Sequence, residues 1–285
     1  MHTFSRPCSS WGLYKELYID NVDLSNPLQR AERLGTGWMG VIVELEGVLV
    51  DYDARRVSDQ AWQHLAEEEG RPPLPLWALR KAEGMKNEQV IQEVFEWAWN
   101  RAEVARLSRR LEELYATCLQ QAQPYVLPET LEALRMLHEQ GVPVAQVCAG
   151  PPGRAALLMG HALAADGALG PVTSAADVLR GLPDPAAYLA AAASIGRPPA
   201  RCVVLCAGNL AIEAAREAGA KAVAVSERRP LYELRAADKV VRSLAELSFM
   251  DYKRLFSPDD TAALVPELNP LELEARHRDQ EGPWP

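Results

Sequence analysis

The chain has 285 residues, enough for one large domain and a smaller one with separate cores. Apolar residues make up 48% and charged residues 24%, which is a globular composition, and a net charge of −9 argues against nucleic acid or an anionic membrane surface as partner. No apolar run reaches the roughly 18–20 residues that a membrane span requires.

Five cysteines (Cys8, Cys118, Cys148, Cys202 and Cys206) form no CxxC pair and no zinc spacing, so the scattered set fits a reducing compartment. The opening MHTFSRPCSS lacks the apolar core of a secretory signal. Residues 1–37 read as a polar extension, with turn signals at Asn26-Pro27 and Gly35-Thr36-Gly37.

Val41-Ile42-Val43 is a short apolar run ending in acids and a glycine, which predicts a buried strand opening into a loop. Residues 55–122 predict helices only. Ala61, Trp62 and Leu65 fall at i, i+1 and i+4, and Leu107, Leu111, Leu114 and Tyr115 repeat at helical spacing. Pro72, Pro73 and Pro75 break this unit once. Its tryptophans, Trp62, Trp77, Trp97 and Trp99, are expected in its core rather than stacked on a ligand. His64, His138 and His161 stand singly in helices and carry no assigned chemistry.

Beyond Gln123 strands and helices alternate. A helix at 129–140 stops at Gly141, a strand follows at 142–147, and a helix at 153–165 comes next. A weak strand near 171–174, an Ala-rich helix at 185–195, a strand at 202–206 and a helix at 210–218 follow. Strands at 222–225 and 239–241 complete the series. Such alternation implies βαβ crossovers and a mostly parallel sheet. The fold class is therefore α/β, a doubly wound, Rossmann-like sheet with a helical unit inserted after its first strand. Ligands in such sheets bind at the carboxyl ends of the strands. After about residue 247 the chain turns acidic and proline-interrupted and reads as a peripheral arm or a partly disordered segment.

Those strand ends carry a pattern. Glu44-Leu45-Glu46-Gly47-Val48-Leu49-Val50-Asp51 places two acids around one residue before Gly-Val-Leu-hydrophobic-Asp. Gly181-Leu182-Pro183-Asp184-Pro185 and the helix Ile212-Glu213-Ala214-Ala215 running to Gly219 follow in order. Together these resemble the haloacid dehalogenase-like (HAD) hydrolases, in their beta-phosphoglucomutase-like branch. The resemblance implies a core at 38–54 and 123–247 and a helical cap at 55–122, with 248–285 as an acidic tail. Residues 26–37, Gly84-Met85-Lys86-Asn87-Glu88-Gln89, Tyr232-Glu233-Leu234 and Ala236-Ala237-Asp238 resemble plastid members of the family in land plants, phosphatases of riboflavin synthesis. That implies a chloroplast location.

The family's reaction is phosphoryl transfer to an enzyme carboxylate, then hydrolysis. The resemblance puts Glu44 at the nucleophile and Glu46 at the acid/base, where the family has aspartates. Each extra methylene displaces a carboxylate by about 1.5 Å, and misplacement near 1 Å can cost ~10²-fold in rate. Cys148 or Ala149 takes the place of a Ser or Thr that donates to the phosphoryl group, but a thiol is a weak donor and alanine's side chain is none. Leu182 replaces the motif's lysine, and neighbouring Arg180 points elsewhere in an extended segment. Cys206-Ala207-Gly208-Asn209 replaces the acids that hold Mg²⁺, leaving Glu44 and Asn209 as weak oxygen ligands. Two acids without metal or lysine should repel and tend to protonate. Cys148 and Cys206 otherwise read as buried structural thiols. Lys86 and Asn87 are expected on the cap as substrate-reading groups, with a solvated lysine the competing reading.

Two functions follow. One is a pseudoenzyme that needs no cofactor and binds protein partners or a small phosphorylated ligand. The other is a Mg²⁺-dependent phosphatase using Glu44 and Glu46. The altered set favours the first, because a missing charge is harder to replace than a lengthened one.

Overall fold

Val41 and Val43 turn to one side of a strand and Ile42 to the other, and all three are fully buried, as a central strand of a two-faced sheet requires. This strand, β1 (Gly40–Glu44), opens the chain in a computed structural model that describes residues 38–162, 170–226 and 229–256. The expected N-terminal extension, Cys8 and the tail from 257 onward lie outside the described residues.

The remaining sheet strands are β4 (Val144–Val147), β5 (Val172–Thr173), β6 (Cys202–Cys206), β7 (Lys221–Val225) and β8 (Lys239–Val241), after a small pair, β2 (Val50–Asp51) and β3 (Tyr125–Val126). The sheet order is β5-β4-β1-β6-β7-β8, with every neighbouring pair parallel. Val41 pairs with Val144 on one side and with Val203 on the other. Strand order therefore runs outward from β1 in both directions, so the crevice at its carboxyl end is the topological switch point.

One face is closed by α4 (Pro128–Glu139) and α5 (Pro152–Ala162), whose Leu134, Leu137 and Leu158 are fully buried against Val41, Val43, Val203 and Val223. The other is closed by α6 (Ala186–Ser194) and α7 (Asn209–Glu217), whose Tyr188, Ala191 and Ile212 meet Ile42, Val204 and Ala222. Burying each large apolar side chain contributes about 1.5–3 kcal/mol.

Between β2 and β3 stand α1 (Ala54–Glu68), α2 (Leu76–Ala82), a turn at Asn87–Gln89 that widens into π-helix over Val90–Val94, and α3 (Arg101–Gln121). Asp53 and Asn100 cap α1 and α3 by accepting from Arg56 N and Ala102 N. Buried Val104, Leu107, Leu111, Leu114 and Cys118 form a stripe at three- and four-residue spacing that packs on Ala61, Trp62 and Leu65. Trp62 meets Phe95 edge-on at 5.0 Å and Trp97 at 6.0 Å. Trp77 and Trp99, expected in this core, are instead 67% and 70% exposed. Trp77 sits in the first turn of a short helix and Trp99 in the irregular link before α3, neither on an inward-facing stripe.

Two features were not legible in the sequence. β2 and β3 pair antiparallel, Val50 with Val126 and Asp51 with Tyr125, fastening the two crossings between the sheet and the helical insert. Two residues are too few to set a period. Within the stretch expected as a tail, α8 (Phe249–Arg254) is capped by Ser248 and buries Tyr252 completely, and Phe256 meets Trp38 edge-on at 4.9 Å.

Candidate functional site

β1 delivers Glu44 to the carboxyl edge of the sheet, and the chain then turns sharply. Gly47 N donates to Val50 O at 2.9 Å, and Leu49 N to Glu44 O at 3.2 Å. Gly47 holds φ +75°, and a Cβ there would meet Ala207 Cβ at 3.1 Å, so both conformation and space call for glycine. The turn aims Glu46 at the same space as Glu44, a cavity of about 290 Å³ between the sheet end and the cap.

Both carboxylates are engaged by the protein. Glu44 Oε1 accepts from the Tyr188 hydroxyl at 2.7 Å and Oε2 from Ala207 N at 3.0 Å. Glu46 Oε1 accepts from the Cys148 thiol and from Ala149 N, each at 3.1 Å. Burial pushes Glu44 up to about 7, against the two hydrogen bonds that hold it down, and the charge of Glu46 adds a lesser push. The tendency to protonate foreseen from the paired acids thus falls on Glu44, with burial ahead of repulsion as its cause. Burial also carries the thiols of Cys148 and Cys206 well above their ordinary range, so both are un-ionised.

The helical insert and the elements flanking the sheet close the cavity together, with groups that no motif announced. Arg154 of α5 grips Glu112 of α3 at 3.1 and 2.5 Å, and its guanidinium lies 3.7 Å from the centroid of the Tyr115 ring. Tyr115 shares a hydrogen bond of 2.9 Å with Tyr52. From the loop after β7, Arg229 reaches the cavity and pairs with Glu83 at the end of α2. The 181–182 segment meets the cap directly: Leu182 N donates to Gly84 O at 2.8 Å and Gly181 N to Gln89 Oε1 at 2.7 Å.

Of the sequence-predicted residues, Glu44, Glu46, Ala149, Leu182, Ala207 and Asn209 line the cavity together. Cys148 touches it through Glu46. The Cys206 thiol faces the other way, toward Val223 O at 3.7 Å, inside the core beneath α6 and α7. Lys86 and Asn87 are not in the cavity wall. Lys86 Nζ donates to Val178 O at 2.7 Å, and Asn87 donates to Glu112 at 2.7 Å. Arg180 pairs with Glu93 on the cap at 2.9 Å. Sequence reasoning missed Tyr188, Arg154 and Arg229. Tyr188 left one trace, a lone hydroxyl-bearing ring in an otherwise Ala-rich apolar helix, which needs a buried partner.

Mg²⁺ is the ion that the family implies here, and it requires near-octahedral hard oxygen donors. Both Glu44 oxygens are taken by protein donors, and the β6 edge offers the site an alanine, a glycine and an asparagine amide, the Cys206 thiol facing away. Among the described residues no group of three or more His, Cys, Asp or Glu side chains is placed to hold a metal ion. The residues present do not fit Mg²⁺.

The parallel sheet, the insert after its first strand and the paired acids at the switch point define a HAD-type α/β protein. A family model described as "haloacid dehalogenase-like hydrolase" matches residues 39–219, and the chain belongs to that family. It is 38% identical over 262 residues, 92% of this chain and 68% of the relative, to the chloroplastic 5-amino-6-(5-phospho-D-ribitylamino)uracil phosphatase of Arabidopsis thaliana. It is 29% identical over 213 residues, 73% of this chain and 93% of the relative, to hexitol phosphatase A of Escherichia coli K12. Among solved structures, a beta-phosphoglucomutase from Clostridium difficile superposes with a TM-score of 0.65 at 16% identity, covering 79% of this chain and 99% of that one, a likeness of fold.

Proposed function

We infer that this HAD-fold chain no longer turns over phosphomonoesters and works as a scaffold in the chloroplast, binding protein partners or a small phosphorylated ligand. One observation carries this reading. The donors at the β4 edge, Cys148 Sγ and Ala149 N, which the family pattern reserves for the transferred phosphoryl oxygens, are occupied by the chain's own Glu46. Glu44, the nucleophile position, is tied at both oxygens by the Tyr188 hydroxyl and Ala207 N, and burial raises its carboxyl toward neutrality, so an attack on a phosphoryl group would first have to break those bonds. Leu182 supplies no charge to a phosphate, and losing one such donor or cation costs about 10²–10³ in turnover.

A second reading is a phosphatase acting on 5-amino-6-(5-phospho-D-ribitylamino)uracil, with Glu44 as nucleophile and Glu46 as acid/base. It is favoured by the 38% identity to the Arabidopsis enzyme and by the convergence of both acids on one cavity. Phosphate release from a panel of phosphorylated metabolites, that pyrimidine included, with and without Mg²⁺, separates the two. The scaffold reading expects wild type and Glu44→Ala to be equally inactive. Turnover that vanishes in Glu44→Ala and rises with pH through about 7 would overturn it.

A further inference from the structure

The proline run that breaks the helical insert, Arg71-Pro72-Pro73-Leu74-Pro75-Leu76, lies outside the cavity wall. Its backbone has little choice of shape. The rings hold φ at about −65° at Pro72, Pro73 and Pro75, and each residue that precedes a proline, Arg71, Pro72 and Leu74, is kept in the extended region. Pro75 stands at φ −71° and ψ 150°, which is polyproline II. That helix has three residues per turn, so such a strip has three edges.

One edge faces the protein. Leu74 is partly buried against the hydrophobic core, and its N–H and C=O both pair with the Gln63 amide, at 3.0 and 2.8 Å. Three residues earlier, Arg71 N donates to Ala66 O at 2.7 Å, and the Arg71 guanidinium lies 5.8 Å from the centre of the Trp97 ring. The other two edges are Pro72 with Pro75 and Pro73 with Leu76. All four residues are exposed, Leu76 at 68%, and exposed Trp77 follows on the first turn of α2. Among the described residues no hydrogen bond ends on the carbonyls of Arg71, Pro72 or Pro73.

The chemistry of the strip selects its partner. Three of its residues lack an N–H, so it cannot add to the edge of a partner's sheet, nor exchange backbone bonds with the same strip of a second copy. It offers flat pyrrolidine faces and carbonyls without donors. A groove lined by aromatic rings complements both, because the rings pack on the prolines and Trp N–H or Tyr O–H groups donate to the carbonyls. We propose that residues 71–76 are a docking strip for a protein partner that reads polyproline II through such an aromatic-lined groove. The Gln63 pairing sets the shape of the strip before binding, so little ordering entropy is lost when the partner docks. This gives the scaffold reading a surface for its protein partners and does not depend on what the cavity does.

The test measures binding of the full chain to an immobilised panel of Src-homology-3 and WW domains by interferometry. At least one domain is expected to bind wild type. The double variant Pro72→Ala, Pro75→Ala is expected to bind it about tenfold more weakly or not at all. Leu76→Glu is a second variant of the same sign, and an acid in the first turn of α2 suits the helix, so this change leaves the fold intact. Gln63→Ala frees the strip without touching an exposed edge and is expected to weaken binding about fivefold. Leu179→Glu, at the most exposed large apolar residue described (92%) and far along the chain from the strip, is expected to change nothing. Thermal melts check that each variant is folded. Binding of no domain would overturn the proposal, as would equal binding by wild type, the proline double variant and Leu76→Glu. Self-association in sedimentation that Leu76→Glu abolishes, with no domain bound, would make a second copy the occupant and overturn it too. Phosphate release by the chain with this affinity order intact would overturn the scaffold reading alone.

Discussion

Replacing Glu44 by glutamine removes one proton-binding group from the folded protein while keeping the size of the side chain. The amide oxygen can still accept from Ala207 N, and the amide nitrogen can donate to the Tyr188 oxygen, so packing and pairing survive. What changes is the coupling of stability to pH. In the unfolded chain Glu44 loses its proton near 4.5, whereas in the fold burial holds the proton on until about 7. Between those values the folded state binds a proton that the unfolded state has released. Stability therefore falls as pH rises through the window and levels off above it. At about 1.36 kcal/mol per pK unit, the interval from 4.5 to about 7 corresponds to roughly 3 kcal/mol at most, since Glu44 keeps some contact with the cavity. Urea unfolding of wild type and Glu44→Gln at pH 5, 6, 7 and 8 measures this directly. Every other titrating group is common to both proteins, so the difference between the two curves isolates Glu44. Wild type should lose up to about 3 kcal/mol relative to the variant between pH 5 and 8. Parallel curves over that range would refute the burial of an ionisable Glu44.

Tyr188→Phe removes a hydroxyl that holds Glu44 down, so the pH at which the wild-type slope flattens should move above about 7, at a cost of roughly 1–2 kcal/mol, and the same unfolding series would read both. Glu112→Ala leaves Arg154, only 11% exposed at its side chain, without its carboxylate, and should lower stability by about 3–5 kcal/mol in thermal or urea unfolding; a loss below 1 kcal/mol would mean that stacking on Tyr115 alone holds the arginine. Gly181→Ala would set a Cβ 2.6 Å from Gly84 O and 2.7 Å from Lys86 N, both backbone atoms that cannot step aside. It should cost about 1–3 kcal/mol and raise proteolysis at residues 84–86, and an unchanged digestion pattern would show that this contact does not hold the helical insert.

Much of the architecture was legible because it rests on period and punctuation. Strand β8 falls at Lys239–Val241, where the expected strand ends in Val240-Val241, and α7 ends just before Gly219. The helical insert after β1 stood out because no period-two stretch interrupts residues 55–122. The tryptophans were less legible, since a large aromatic residue in a helical unit is expected inside, and only the direction of each stripe puts Trp62 in and Trp77 out. At the site, the two acids and the residues flanking them could be named from the strand ends, whereas Tyr188, Arg154 and Arg229 could not. Each comes from a different element, separated from Glu44 by over a hundred residues, and no spacing rule links such positions.

The sequence by itself determined the parallel sheet, the place of the helical insert and the presence of Glu44 and Glu46 at the switch point, because hydrophobic period and chain order dictate these locally. Only the tertiary structure decided what those acids do. Packing brought Tyr188 and Ala207 N onto Glu44 and Cys148 and Ala149 N onto Glu46, and it set three arginines around Glu83. Hydrogen bonding and burial depend on which distant groups share a small volume, and that follows from the closed three-dimensional packing rather than from order along the chain.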